Sequence, residues 1–203
     1  MNLFHIDSPI VRILNLLSDL FILHILWLIY SLPVITIGAS TTALYYAMMK
    51  RIQTDDGTIF HNFHSSFRSN FKQSTILWIF MFLVGMILLL DFYFCNLMQG
   101  TIKTILFIPY ILILLPYCFT SLYLFPVQAK FDNSIKQNLK NAFLMSLIHL
   151  PYTFLLILFP IVMVVILLLS PKLLGFFILF GMGAYSYLTS HIYIRVFRRY
   201  IPD

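Results

Sequence analysis

Glutamate is missing from this chain: all seven of its acidic residues are aspartate. That absence removes many catalytic and metal-binding motifs, the HExxH helix among them. Charge of either sign is scarce, at 10% of residues against about 25% in a typical soluble domain. Cysteine occurs twice, at Cys95 and Cys118, with no CxxC spacing; neither a disulfide framework nor a zinc site is suggested. No GxSxG turn and no phosphate-cradling glycine loop occurs. The six histidines do not cluster; only His61 and His64 share a helical spacing, and a metal site needs three or four convergent ligands. The expectation is a non-enzymatic protein without a cofactor.

Apolar residues fill the space that charge leaves. They make up 61% of the 203 residues, and mean hydropathy is +0.92. A chain of this size cannot hide that much apolar surface in its own core and stay in water. A soluble globular protein, a disordered chain and a nucleic-acid binder are therefore excluded, and the lipid bilayer is the expected surrounding. Stretches free of Lys, Arg, Asp and Glu run over 20–49, 73–90, 104–129, 141–171 and 173–194. A spanning helix needs about 20 residues. The expected class is an all-α polytopic membrane bundle, one integral membrane domain over 1–203. Helices are expected near 8–32, 39–52, 74–97, 103–126, 130–168 and 173–194.

The first stretch is too long for one helix. Pro33 lacks a backbone donor, and Gly38 permits a sharp reversal, so SLPVITIGAST reads as a bend inside an N-terminal hairpin. The following helix is short and rich in Ala, Ser and Thr, a composition that lets helices approach closely in lipid. If it crosses there are six passes, and if it turns back there are five; six is preferred.

Lysine and arginine set the orientation. Lys50, Arg51, Arg68, Lys72, Lys130, Lys136, Lys140, Arg195, Arg198 and Arg199 fall on one side, opposed by Lys103 and Lys172. The long connections and the C-terminus are expected in the cytoplasm of a multi-pass cell-membrane protein, with the N-terminus there too if six segments cross. Asp7 and Pro9 before the first apolar run argue against a cleavable signal.

Two cytoplasmic segments are amphipathic. Phe60, Phe63, Phe67 and Phe71 recur at helical spacing, with His61, His64, Arg68 and Lys72 off that stripe. This predicts an interfacial helix over 60–73 with its rings at the acyl boundary. In the second segment Phe131, Ile135, Leu139 and Ala142 oppose lysines. Candidate docking residues are Phe60, Phe63, Phe67, Asn70, Phe71, Lys72, Lys130, Asp132, Lys136, Lys140 and Asn141. Ionisable residues inside spans are costly. Asp19, with Arg12 and Asn15 at helical spacing, is expected to form a polar stripe facing the bundle, and Asp91 a hydrated carboxylate near a helix end.

The segments LWLIYSLPVITIGASTTALYYAMMK and FHNFHSSFRSNFKQS resemble the YesL-like family, small membrane proteins of Gram-positive bacteria grouped as a domain of unknown function. The resemblance rests on Leu26-Trp27, Leu32-Pro33, Thr36, Gly38, Ala43-Leu44-Tyr45, Phe60, Phe63 and Asn70-Phe71-Lys72-Gln73. His24-Ile25 stands where many members carry Asn ahead of the Leu-Trp pair. Trp27, Pro33, Thr36 and Gly38 form the family-motif bend. Such proteins are often encoded beside carbohydrate ABC importers, so the resemblance implies an accessory of such an importer, with its subunits as partners. The alternative expectation is a small-solute transporter or channel, with Asp19 or Asp91 lining a wet cavity.

Overall fold

The computed structural model describes residues 9–54 and 58–200. They form seven α-helices and no strand: α1 (Pro9–Ser31), α2 (Ile37–Thr54), α3 (Ile59–Leu97), α4 (Thr101–Lys130), α5 (Ile135–Ile148), α6 (Leu150–Leu169) and α7 (Leu174–Phe197). Four of these helices, α1, α3, α4 and α6, are long and apolar enough to cross a membrane. Their lipid-accessible faces carry the large apolar side chains, including Leu83, Ile87, Leu112, Phe154 and Leu168. This is the build of a helical membrane protein.

The bend between α1 and α2 follows its chemistry. Pro33 is extended (φ −74°, ψ 111°) and starts a short 3-10 turn over Val34–Thr36. The hydroxyl of Thr36 donates to the carbonyls of Tyr30 and Pro33, both at 2.6 Å, satisfying groups freed where α1 ends. Gly38 then lies against α3: a Cβ there would sit 2.6 Å from both the Ser74 carbonyl oxygen and Trp78 Cβ. Helix α2 is buried on most of its circumference, through Ala39, Ser40, Thr42, Ala43, Leu44, Ala47 and Met48. Its small side chains bring neighbouring backbones close, the packing mode that operates where lipid offers no hydrophobic drive.

Two boundaries differ from the sequence expectation. The interfacial helix over 60–73 and the span over 74–97 are one helix, α3, of 39 residues. Neither Pro nor Gly lies between Ile59 and Val84, so nothing interrupts the ladder. At 1.5 Å per residue α3 is about 58 Å long, against a hydrocarbon core of about 30 Å. Conversely, the expected helix over 130–168 is divided. Residues 131–134 are non-helical, Ser134 caps α5 by accepting from the Gln137 amide, and the chain breaks again at His149. Pro151 has no N–H for a continuous ladder and sits in the first turn of α6. By contrast Pro109, Pro116 and Pro126 all lie inside α4 without ending it, as neighbouring helices permit in membranes.

Antiparallel pairs build the bundle. Along α2 and α3, Lys50 meets Asn62 and Thr42 meets Ser74. Along α3 and α4, Phe92 packs near Phe107 and Tyr110, and Tyr117 donates to the Met81 carbonyl. Tyr45, Tyr123 and Tyr193 meet edge to face at the junction of α2, α4 and α7, with centroids 5.4 and 5.5 Å apart. All three rings are buried, and the Tyr193 hydroxyl donates to the Leu122 carbonyl.

Candidate functional site

The ionic centre of the helical hairpin is not the stripe expected on α1. Asp19 accepts from Nε of Arg51 on α2 at 2.6 Å, with about a sixth of each side chain exposed. Arg12 and Asn15 are exposed instead. Helical spacing placed them near Asp19, but α2 folds back along α1 and supplies a cation from the packed side. A carboxylate and a guanidinium removed from water stabilise one another only when both are present and well aligned. The second expected acid, Asp91, is exposed near the end of α3.

The motif residues of the bend fix α1 on α2. Trp27 donates from Nε1 to the hydroxyl of Thr41 at 3.1 Å. Tyr30 is 2.8 Å from Nδ1 of His64 on α3 and packs edge to face on Phe63 and Phe67. Pro33 itself is exposed.

A second polar system joins α3, α4 and α5. The Asn138 amide donates to Gln128 Oε1, and Gln128 Nε2 donates to Asn70 Oδ1 at 2.9 Å. Asn70 Nδ2 then donates to the Ser66 carbonyl at 3.1 Å. Gln73 donates to the Asn133 carbonyl at 2.6 Å, holding the non-helical link before α5. Asn138 and Gln128 are buried, and both polar ends of the Gln128 amide are paired in a surrounding that gives them little water, whereas Asn138 Oδ1 has no partner.

The phenylalanine stripe divides. Phe63 is fully buried against α1 and α2 and Phe67 is half-buried, whereas Phe60 and Phe71 are exposed. The inward face of this part of α3 is instead Ile59, Asn62, Phe63, Ser66 and Ser74. The stripe is therefore not one continuous exposed surface: Phe63 faces α1 and α2, and Phe60 and Phe71 stay outside. Of the other docking candidates, Lys72, Asp132, Lys136 and Lys140 are exposed, while Lys130 and Asn141 are half-buried. Lys130 reaches Gln53 Oε1 at 3.4 Å and Asn141 accepts from Gln137. Asn70 is spent on the amide system.

Several residues that organise the site escape sequence reading. Asn62, Ser66, Asn70 and Ser74 recur at intervals of four and could have been read as a stripe, but polar residues beside a phenylalanine stripe look like the solvated face. Gln128 and Asn138 belong to different helices, and only folding pairs them. Gly183 on α7 lies against the backbone of α1, where a Cβ would overlap the Leu20 carbonyl. Near the C-terminus, His149 is buried, with Nε2 2.9 Å from the Tyr200 hydroxyl. Burial, and then the Arg199 cation, lower its pKa below the usual histidine value.

Cavities between the helices are apolar. One, of about 300 Å³, lies between α3 and α4 beside Trp78, Gly85 and Tyr117. Another, of about 460 Å³, lies between α6 and α7 beside Pro160, Phe177 and Tyr185. Among the described residues no three His, Cys, Asp or Glu side chains converge on a metal-sized site.

Residues 20–92 match the family described as "Protein of unknown function, DUF624". The match runs from the middle of α1 through α2 and most of α3. It takes in the Trp27–Thr41 and Tyr30–His64 contacts and the Arg51 end of the ion pair. Neither the curated proteins nor the solved structures contain a match to this chain.

Proposed function

We propose that this is a non-catalytic integral membrane protein that serves as an accessory of another membrane assembly. The partner that the YesL-like resemblance suggests is a carbohydrate ABC importer. The observation carrying this reading is the division of labour along α3. One face is committed to α2 through Asn62, Phe63 and Ser74, while Phe60, Arg68, Phe71 and Lys72 stay exposed on another. Exposed aromatic rings interleaved with cations suit contact with a protein and headgroup surface. Lys136 and Lys140 on α5 extend the same cationic character.

The transporter reading asked for an acid lining a wet path. Asp19 is engaged by Arg51, and the cavities between the spans are lined by apolar side chains, which favours the accessory reading.

In the proposed topology α2 and α7 cross as well, giving six passes. Both termini and the cation-rich connections then lie in the cytoplasm of a cell-membrane protein. Impermeant thiol labelling of Ser65→Cys in intact cells, on a background lacking the native cysteines, checks the sidedness: the expected result is labelling only after permeabilisation. The function is tested by co-expressing the protein with a carbohydrate importer and purifying in mild detergent. A stoichiometric complex that Phe60→Ala/Phe71→Ala weakens supports the proposal. Failure to recover any complex, together with solute flux in liposomes containing this protein alone, overturns it in favour of a transporter.

A further inference from the structure

His24 makes an unusual contact. Its ring lies across one turn of α7: Nε2 is 2.8 Å from the Ile178 carbonyl, and the Met182 amide donates to Nδ1 at 3.1 Å. Ile178 and Met182 are the two ends of one i,i+4 step, so a side chain of α1 engages both poles of a helical turn in another helix. The approach is possible because Gly183 has no side chain and the α1 backbone at Leu20 rests directly on it. Gly181 leaves further room, since a Cβ there would be 3.9 Å from His24 Cε1. Trp27 stacks on the imidazole with centroids 6.4 Å apart, and His24 is 4% exposed.

The two contacts specify a chemical form. A carbonyl accepts only, so Nε2 must carry the hydrogen; a backbone amide donates only, so Nδ1 must be bare. The ring that fits is the neutral Nε2–H tautomer. Imidazolium carries a hydrogen on both nitrogens and would turn the second against the Met182 N–H. A rotated ring loses the carbonyl bond as well.

We propose that His24 is a proton-sensitive latch between α1 and α7, closed in the neutral form and opened by protonation. The opening is local. Below the latch α1 stays tied by the Asp19–Arg51 pair and the Leu20–Gly183 contact, so protonation frees the C-terminal half of α1 from α7. Charged and titratable groups on the surrounding helices include Asp19 and Tyr30 on α1, Arg51 on α2, His64 on α3, and Tyr185 and Tyr187 on α7. Asp19 and Arg51 engage one another, and His64 engages Tyr30. The described hydrogen bonds of the His24 ring are to the two backbone groups alone. The inference is independent of any partner assembly.

The test uses the full chain in phospholipid nanodiscs. Nitroxide labels at Ile29→Cys and Leu174→Cys, on exposed positions of α1 and α7, report separation across the latch at pH 8 and pH 5. The expected wild-type result is a narrow distance distribution at pH 8 that broadens and lengthens at pH 5. His24→Gln, which can donate and accept without titrating, is expected to stay narrow at both. His24→Leu is expected to be broad at both. Ring ¹⁵N spectra of histidine-labelled protein at pH 8 are expected to show His24 as the Nε2–H tautomer. A wild-type distribution unchanged by pH, a His24→Gln variant that broadens like wild type, or an Nδ1–H tautomer at pH 8 overturns the proposal. The glutamine variant also separates the latch from the other histidines, which it leaves in place.

Discussion

Arg51 on α2 donates to the carboxylate of Asp19 on α1 at 2.6 Å, joining residues 32 apart in sequence. The pair closes the N-terminal hairpin at the end opposite the Pro33 bend. Loss of one partner of a buried ion pair costs about 3–5 kcal/mol. Arg51→Leu and Asp19→Leu are each expected to lower unfolding stability by an amount of that order, and the double replacement by much less than the sum. Denaturation in mixed micelles across the four-member mutant cycle measures it.

Gly183 and Gly181 make opposite predictions two residues apart. A methyl group at 183 would overlap the Leu20 carbonyl, a backbone atom that cannot swing aside, whereas at 181 it makes an ordinary contact 3.9 Å from His24. Gly183→Ala is expected to destabilise by about 1–3 kcal/mol, the usual cost of overpacking. Gly181→Ala is expected to be neutral or slightly stabilising, since alanine favours helix over glycine by about 1 kcal/mol. Thermal unfolding of both variants in one detergent distinguishes them.

Gln128 stands in the middle of the amide system, accepting from Asn138 and donating to Asn70. Gln128→Leu leaves the buried Asn138 donor and the half-buried Asn70 acceptor without their partner, at about 1–3 kcal/mol for a buried group. The expected result is a marked loss of stability with faster proteolysis at the 131–134 link, read by limited digestion. Removing all three amides together for leucine is expected to cost less than the single change.

His149 makes stability depend on pH. Its pKa is lowered by burial and by Arg199, so below about pH 6.5 the unfolded chain binds a proton that the folded one resists. The stability tied to the neutral ring is present above the unfolded value and is lost as pH falls through the folded one. Wild type is expected to lose more unfolding temperature between pH 7.5 and pH 5.5 than His149→Gln, measured by scanning fluorimetry in detergent.

Much of the fold was legible because lipid rewards simple signals. Long uncharged runs marked α1, α3, α4 and α6, and Pro33 with Gly38 marked the bend. Less legible was what faces inward. In water a phenylalanine stripe points to a core, but in a bundle bathed by lipid the buried face of α3 carries Asn62, Ser66 and Ser74, and Phe60 is left outside. Arg12 shares a helix face with Asp19, yet Arg51 is its partner because α2 folds back beside α1, a tertiary fact no local spacing contains. His24 stood out only as a departure from a family pattern, and its partners are backbone atoms, which no side-chain motif announces.

The uninterrupted length of α3 has a mechanical corollary. A rod of about 58 Å would need a tilt near 60° to vanish inside a film of about 30 Å, well beyond the 0–40° that spanning helices adopt. In the proposed topology some of it therefore stands clear as a stem, continuous with the part inside the film. Re-tilting such a lever by about 5° sweeps its far tip by about 5 Å.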